Sequence, residues 1–449
     1  MRIAGSIVGF LLLGCGGTAS VGVDAGDGGG DTGTVTTPVC TAFALETPAV
    51  ACAGASSCPV VVAGRAPCMM GFGLSVAPGA GDRSYVAFTT NLNQFHPRLW
   101  TVDPSGGSAF ESDMAAPEIL RVLSDASGTP SLLGAGDNGR VGPLVYFPGA
   151  PGAWSGETIT SLFAHRFAAA IAPDGTVHVV WAGDTPVHLA RRTGPNAWTD
   201  TTLTGIFEGD FAIALDSLAR PIVAYWQRRP DQSARDLLYS VDGATPTAIA
   251  NLPFGTFGGE HVQIALTATD LPVVAIDEVD GTHVVVPQAK PAVDAKVPGT
   301  GPVAPKGCPD FMGGGMPTPQ CGPNTAGTCT ETADGSLARA MVNAPDGTVW
   351  LAYVHRKIDR DAKIEQTVSE AGYHCTTKVI ADRSATELVV GQLSLEGALD
   401  VRWRAPLGNT ESVQLDLAAR GNRLHVATAA RGEHDASEVR LMVLDRAKL

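Results

Sequence analysis

The chain lacks most of the signals that point to helices or to familiar catalysts. No long stretch holds an apolar period of 3.6, which argues against a helical bundle. Basic residues are in deficit: Lys and Arg total 31 against 45 acids, for a formal charge of −14. Phosphate binding needs basic surface, so nucleic acid is not an expected partner. The serine-hydrolase elbow Gly-x-Ser-x-Gly, the zinc motif His-Glu-x-x-His and the phosphate-binding P-loop are all missing. So are Cys-x-x-Cys pairs and Asp-x-Asp-x-Asp calcium loops, leaving a divalent cation without a motif. No cofactor is expected. The one apolar run near the start, Ile3 to Leu13, is too short to span a bilayer.

Turns and short strands are abundant instead. Gly 53 and Pro 31 suit a chain of strands and turns, and a hydrophobic content of 44% is ample for a core. The organising stretch is Phe167 to Trp181, FAAAIAPDGTVHVVW, which reads as two strands around Pro173-Asp174-Gly175. Its second strand recurs at 220–226 (RPIVAYW), 271–277 (LPVVAID), 347–354 (GTVWLAYV) and 422–429 (NRLHVATA). Two earlier echoes are DRSYVAF at 82–88 and GTPSLLG at 128–134. The turns near 82, 128, 175, 219 and 271 are 44 to 52 residues apart, and two more follow near 347 and 422. A period of that length with several strands per unit is the mark of a β-propeller. The expected fold is therefore all-β, a propeller of seven blades over 72–449, with six or eight as the alternatives. Eight stays open because 387–404 adds strand material to its unit.

Two regions depart from the repeat. Residues 288–335 form a Pro/Gly-rich insertion with little strand character. Residues 40–71 carry four cysteines and one clear strand, CPVVVAG at 58–64, expected to complete the last blade, because an open sheet edge is a liability. Residues 16–39 hold no aromatic residue and almost nothing able to pack, and read as a flexible tether, with a typical span of about 27 Å at roughly 5–6 Å × √n.

The start of the chain is more specific. Arg2 supplies a positive end, the apolar stretch follows, and Leu12-Leu13-Gly14-Cys15 closes it. This resembles the lipobox of bacterial lipoproteins. The resemblance implies a signal peptide over 1–14, a lipid anchor on Cys15 and export. Gly16 in place of the Asp that retains many such proteins implies an outer-membrane lipoprotein, facing the periplasm or the cell surface. Eight further cysteines fall in two groups of four: Cys40, Cys52, Cys58, Cys68 and Cys308, Cys321, Cys329, Cys375. In an oxidising compartment four disulfides are the simplest reading, with pairing undetermined.

Candidate site residues come from position in the repeat. Residues just before each first strand cluster at the channel mouth of a propeller: His165, Arg166, Asp210, Glu260, His261 and Glu411. Loops after the second strands share that face: Asp137, Asp184, Arg228-Arg229, Asp277-Glu278 and His355-Arg356-Lys357. Of these, His165, Arg166, Asp210, Arg228, Glu260, His261 and His355 are the expected ligand-binding set. His178 and His425 occupy one repeat position and read as packing residues. The units are loosely similar to sialidase-type propellers, whose Asp-box is Ser-x-Asp-x-Gly-x-Thr-Trp. The nearest stretch here, Asn343 to Trp350 (NAPDGTVW), lacks the Ser and one spacer. That family's tyrosine nucleophile has no obvious counterpart among Tyr85, Tyr146, Tyr225, Tyr239, Tyr353 and Tyr373. The leading expectation is a non-catalytic binding protein gripping a protein or glycan. The alternative is a polysaccharide hydrolase or lyase using Asp210 and Glu260 as acid and base. A purely structural envelope protein is the third. Oligomeric state is not readable.

Overall fold

A computed structural model describes residues 44–46, 58–67 and 73–449, apart from loop segments of which the longest are 112–118, 254–260 and 309–325. The expected signal peptide, Cys15 and tether lie outside the described residues, as do Cys40, Cys52, Cys68 and Cys321.

The chain is all-β and, among the described residues, contains no α-helix. Two strands come first, β1 (Ala44–Glu46) and β2 (Val60–Pro67). The first sheet is β3 (Ser75–Pro78), β4 (Ser84–Leu92), β5 (Gln94–Val102) and β6 (Ser108–Glu111). The second is β7 (Ile119–Ser124), β8 (Pro130–Asp137), β9 (Arg140–Pro148) and β10 (Glu157–Ala164). The third is β11 (Arg166–Ile171), β12 (Val177–Ala182), β13 (Val187–Gly194) and β14 (Ala197–Leu203). The fourth is β15 (Ile206–Leu215), β16 (Pro221–Arg228), β17 (Ala234–Val241) and β18 (Thr247–Pro253). The fifth is β19 (Val262–Leu266), β20 (Pro272–Glu278), β21 (Gly281–Val286) and β22 (Val293–Lys296).

The sixth sheet breaks the pattern. It holds β23 (Gly327–Asn343), β24 (Val349–Ser369), β25 (Gly372–Asp382), β26 (Ala385–Leu393) and β27 (Leu399–Gly408). Its body runs β23-β24-β26-β27. β24 pairs with β26 over Val349 to Lys357 and with β25 over Arg360 to Ser369, so β25 belongs to a three-stranded extension of the sheet. The surplus strand of this unit is thus β25 rather than 387–404, which supplies parts of the third and fourth strands. The Pro/Gly-rich stretch also carries more strand than its composition suggests: β22, the first half of β23, and bridges from Pro302 to Ser336 and Lys306 to Thr332. The last sheet contains β28 (Thr410–Arg420), β29 (Arg423–Gly432) and β30 (Ser437–Asp445), with β2 pairing β30 and β1 outside it.

Burial explains the repeat. β12 is buried at all six positions, β13 at three of eight, and β14 only at Leu203. A strand covered on both faces reads as a continuous apolar run rather than an alternation, which is why the second strands echo one another. Seven hydrophobic clusters fill the gaps between consecutive sheets. One joins Leu133 and Tyr146 of the second sheet to Val179 and Trp181 of the third. The seventh sheet packs on the sixth through Leu424 and Trp350. It packs on the first through Val439, Leu441 and Val443, which meet Phe88 and Trp100. Each such side chain contributes roughly 1.5–3 kcal/mol by leaving water.

First strands lie beside first strands of the neighbouring sheets, and side chains cap the backbone groups this leaves open. Gln414 Oε1 accepts from the Leu74 amide at 3.0 Å and Asp416 Oδ2 from the Val76 amide at 2.7 Å. Arg121 donates to the Leu74 carbonyl at 3.2 Å, Ser75 Oγ accepts from the Val122 amide at 3.2 Å, and Gln263 donates to the Arg339 carbonyl at 2.8 Å.

One disulfide joins Cys308 to Cys329, tying the stretch before the sixth sheet to β23. Cys58 and Cys375 are also disulfide-bonded.

Five of the hairpins between first and second strands share one geometry. In the third sheet the Ala172 amide donates to the Thr176 carbonyl at 2.8 Å, the Gly175 amide donates to the Ala172 carbonyl at 2.9 Å, and Gly175 has φ +86°. This is a type I turn followed by a left-handed residue. It recurs at Gly128, Ala219, Asp270 and Gly347. The Asp-box-like stretch is one of these turns: Asp346 Oδ1 accepts from the Thr348 amide at 3.1 Å, and Trp350 Nε1 donates to Thr348 Oγ1 at 3.0 Å. Gly347 has φ +76°, and a Cβ there would stand 2.2 Å from the Ala268 nitrogen in the neighbouring hairpin. Gly347→Ala should therefore cost at least ~2 kcal/mol, combining left-handed strain with a backbone clash. Urea unfolding of the two proteins measures it, and equal midpoints would refute the packing described.

Candidate functional site

Three consecutive sheets bring charged groups together where first strands start and second strands end. Asp210 lies midway along β15, His261 immediately precedes β19, Asp277 ends the apolar run of β20, and Arg339 lies within β23. His261 Nδ1 is 3.3 Å from Asp210 Oδ2. Arg339 Nε is 2.6 Å from Asp277 Oδ1, and its Nη1 also donates to the Thr282 hydroxyl. Side-chain exposure is graded across the group: His261 61%, Asp210 25%, Arg339 15% and Asp277 14%.

The surroundings push the two carboxyls in opposite directions. Burial works against an ionised Asp210, but the hydrogen bonds from His261 and the Phe211 amide outweigh it and hold its pKa below the usual value. Asp277 is pushed up by burial, which the attraction of Arg339 and His261 does not offset. The hydrogen bond to Asp210 raises the His261 pKa, against an opposing effect of burial. Burial also lowers Arg339, which remains a cation. The group therefore offers a fixed ion pair, an exposed imidazole and a carboxyl that holds its proton more readily than usual.

Several expected residues belong here and others do not. Asp210 and His261 meet. Arg166, exposed at the start of β11, acts electrostatically on both. Arg228 is half-buried at the end of β16, across the ladder from Ile206 and Arg235. His355 is in a separate cluster, 2.6 Å from Asp334 and 3.3 Å from Glu387. His165 and Glu260 lie outside the described residues. Arg339 was not singled out by position in the repeat, because it sits inside a first strand rather than before it. Its signal was a lone charge in the run Leu337-Ala338-Arg339-Ala340-Met341.

The two repeat-position histidines pack as core. His178 is 3% exposed and His425 1%. Burial lowers both, His425 to about 4, and His425 Nδ1 lies 2.7 Å from Ser84 Oγ. Glu278, Asp280 and His283 place three potential metal-ligand atoms within 4.8 Å of one another. Lys296 Nζ stands 3.1 Å from Asp280 and supplies a counter-charge.

The Asp210–His261 pair has a defined pH window. A raised histidine pKa contributes stability that is full below the unfolded value, about 6.5, and lost as pH rises through the folded value. A lowered aspartate pKa contributes above about 3.8 and is lost as pH falls through the folded value. Because His261 is largely exposed, the expected contribution is only about 0.5 kcal/mol. Thermal melts of wild type and His261→Gln should differ most near pH ~5.5 and converge by about pH 8.5. A difference unchanged across that range would refute the pairing.

No protein-family model matches the chain, and no curated protein matches it in sequence. Among solved structures it is similar to the dihydro-heme d1 dehydrogenase NirN in complex with DHE, at 11% identity and a TM-score of 0.40, over 84% of this chain and 67% of that one. It is also similar to AofleA from Arthrobotrys oligospora, at 10% identity and 0.36, over 74% and 90%. A third is a puromycin-hydrolysing peptidase from Mycobacterium tuberculosis, at 14% and 0.42, over 83% of this chain and 51% of that one.

Proposed function

We propose that this protein is an exported lipoprotein, anchored through Cys15, whose seven sheets close into a seven-bladed β-propeller that binds a protein or glycan without catalysis. The observation that carries the binding reading is the Asp210–His261 pair, which presents an imidazole 61% exposed beside the half-buried Asp277–Arg339 pair. Such a group sets donors and acceptors on rigid strands before any ligand arrives, which lowers the ordering cost of binding. The blade count is supported by seven inter-sheet clusters. Closure is supported by the pairing of β2 with β30 and by the packing of the seventh sheet on both the sixth and the first.

A polysaccharide hydrolase or lyase is favoured by one observation, the divergence of Asp210 and Asp277. Carboxyls pushed apart in this way suit a base and an acid.

One experiment separates the readings. The protein is melted against a panel of envelope and matrix glycans, and the same mixtures are assayed for turnover. A ligand at 100 times its Kd adds about 2.7 kcal/mol of stability. Binding predicts a shift that an Asp210→Ala, His261→Ala double variant loses, with no product formed. Product formation abolished by Asp277→Asn would replace that conclusion with the enzymatic one. A shift retained in the double variant would move the site elsewhere. The anchor has its own test: metabolic labelling with a clickable fatty acid should mark the wild type and not Cys15→Ala, and equal labelling would refute it.

A further inference from the structure

We propose that the cleft at the base of the sixth sheet's extension is a binding site for a small organic carboxylate. This site is separate from the Asp210–His261 group and does not depend on the function proposed above.

The cleft has a volume of about 340 Å³, at the small end of ligand sites. It forms where β24 leaves the body of the sheet, between its last pairing with β26 and its first with β25. Ala385, Ala405 and Pro406 give it an apolar wall, while Lys357, Arg404, His355 and Glu387 supply its charge.

The charges are not evenly matched. The ladder sets Asp334 directly opposite Lys357, the ordinary arrangement for a cross-strand ion pair. Asp334 turns instead to His355, whose Nε2 lies 2.6 Å away. His355 Nδ1 is 3.3 Å from Glu387, and Glu387 also accepts from Arg404. The chain Asp334–His355–Glu387–Arg404 thus satisfies its own members and leaves Lys357 with no ion pair among the described residues. An exposed ammonium that has no ion pair among the described residues, beside an apolar wall, matches a ligand with one negative charge and a hydrocarbon body. Glu387 and Asp334 stand in the same cluster, so a dianion such as phosphate would meet repulsion that one free ammonium does not offset.

The test uses the full-length protein with benzoate as probe and benzamide as its neutral counterpart, followed by calorimetric titration. Benzoate should bind saturably, benzamide at least tenfold more weakly. Lys357→Met, which keeps the stem and removes the charge, should weaken benzoate at least tenfold without moving the melting temperature, since Lys357 supports no other group. Ala385→Trp, which fills the cleft from an exposed position, should abolish binding. His261→Ala should leave it unchanged. Absence of saturable benzoate binding, equal affinity for benzamide, or full affinity in Lys357→Met would each overturn the proposal.

Discussion

Everything in this fold depends on sheets that are apolar on both faces. A sheet packed on one side only would leave half of its second-strand side chains in water. Each sheet therefore needs two neighbours, and the clusters alternate sheet by sheet: Val179 and Trp181 face the second sheet, while Val180 and Ala182 face the fourth. Adjacent residues of one strand thus belong to different cores, as the two-residue strand period requires. A substitution at one of them acts on a single inter-sheet contact.

The same geometry creates a polar problem where first strands meet. They pack beside each other without a shared ladder, so their amides and carbonyls need other partners. A buried group left unsatisfied costs about 1–3 kcal/mol. Gln414, Asp416, Ser75, Arg121 and Gln263 meet this need from the adjacent strands. Polar side chains are consequently obligatory along the first strands, whatever the protein binds. The Asp210, His261, Asp277 and Arg339 group grows out of that polar lining, and its partial burial is what makes its charges interact strongly.

How much of this was legible in the sequence follows from the same physics. Double-sided burial makes the second strands continuous apolar runs, so the repeat was visible at β4, β8, β12, β16, β20, β24 and β29. Turns with Asp-Gly, at 174–175 and 346–347, were equally plain. The turns at Ala219 and Asp270 adopt the same left-handed geometry without glycine, so only their spacing revealed them. β25 was hidden because it lies outside the four-strand plan and carries exposed Val379 and Ile380, which blur its alternation. In the site, His261 could be read from its place just before a first strand; Asp210, expected before one, lies inside β15 instead, which starts at Ile206, and only the regular pairing of that strand begins after it, at Phe211. The pairing of Asp277 with Arg339 spans a long insertion whose path no local pattern encodes.

The seventh sheet has a consequence for the timing of folding. β2 finds its partner in β30, which is synthesised after every other strand described here. Until then β2 has no ladder on that side, and the cores that hold Val60 and Val62 lack what β30 brings them, Met442 and Leu444 for one and Val439, Leu441 and Val443 for the other. The five intervening four-stranded units can form as they emerge, but the sheet that uses both ends of the described chain must be assembled last.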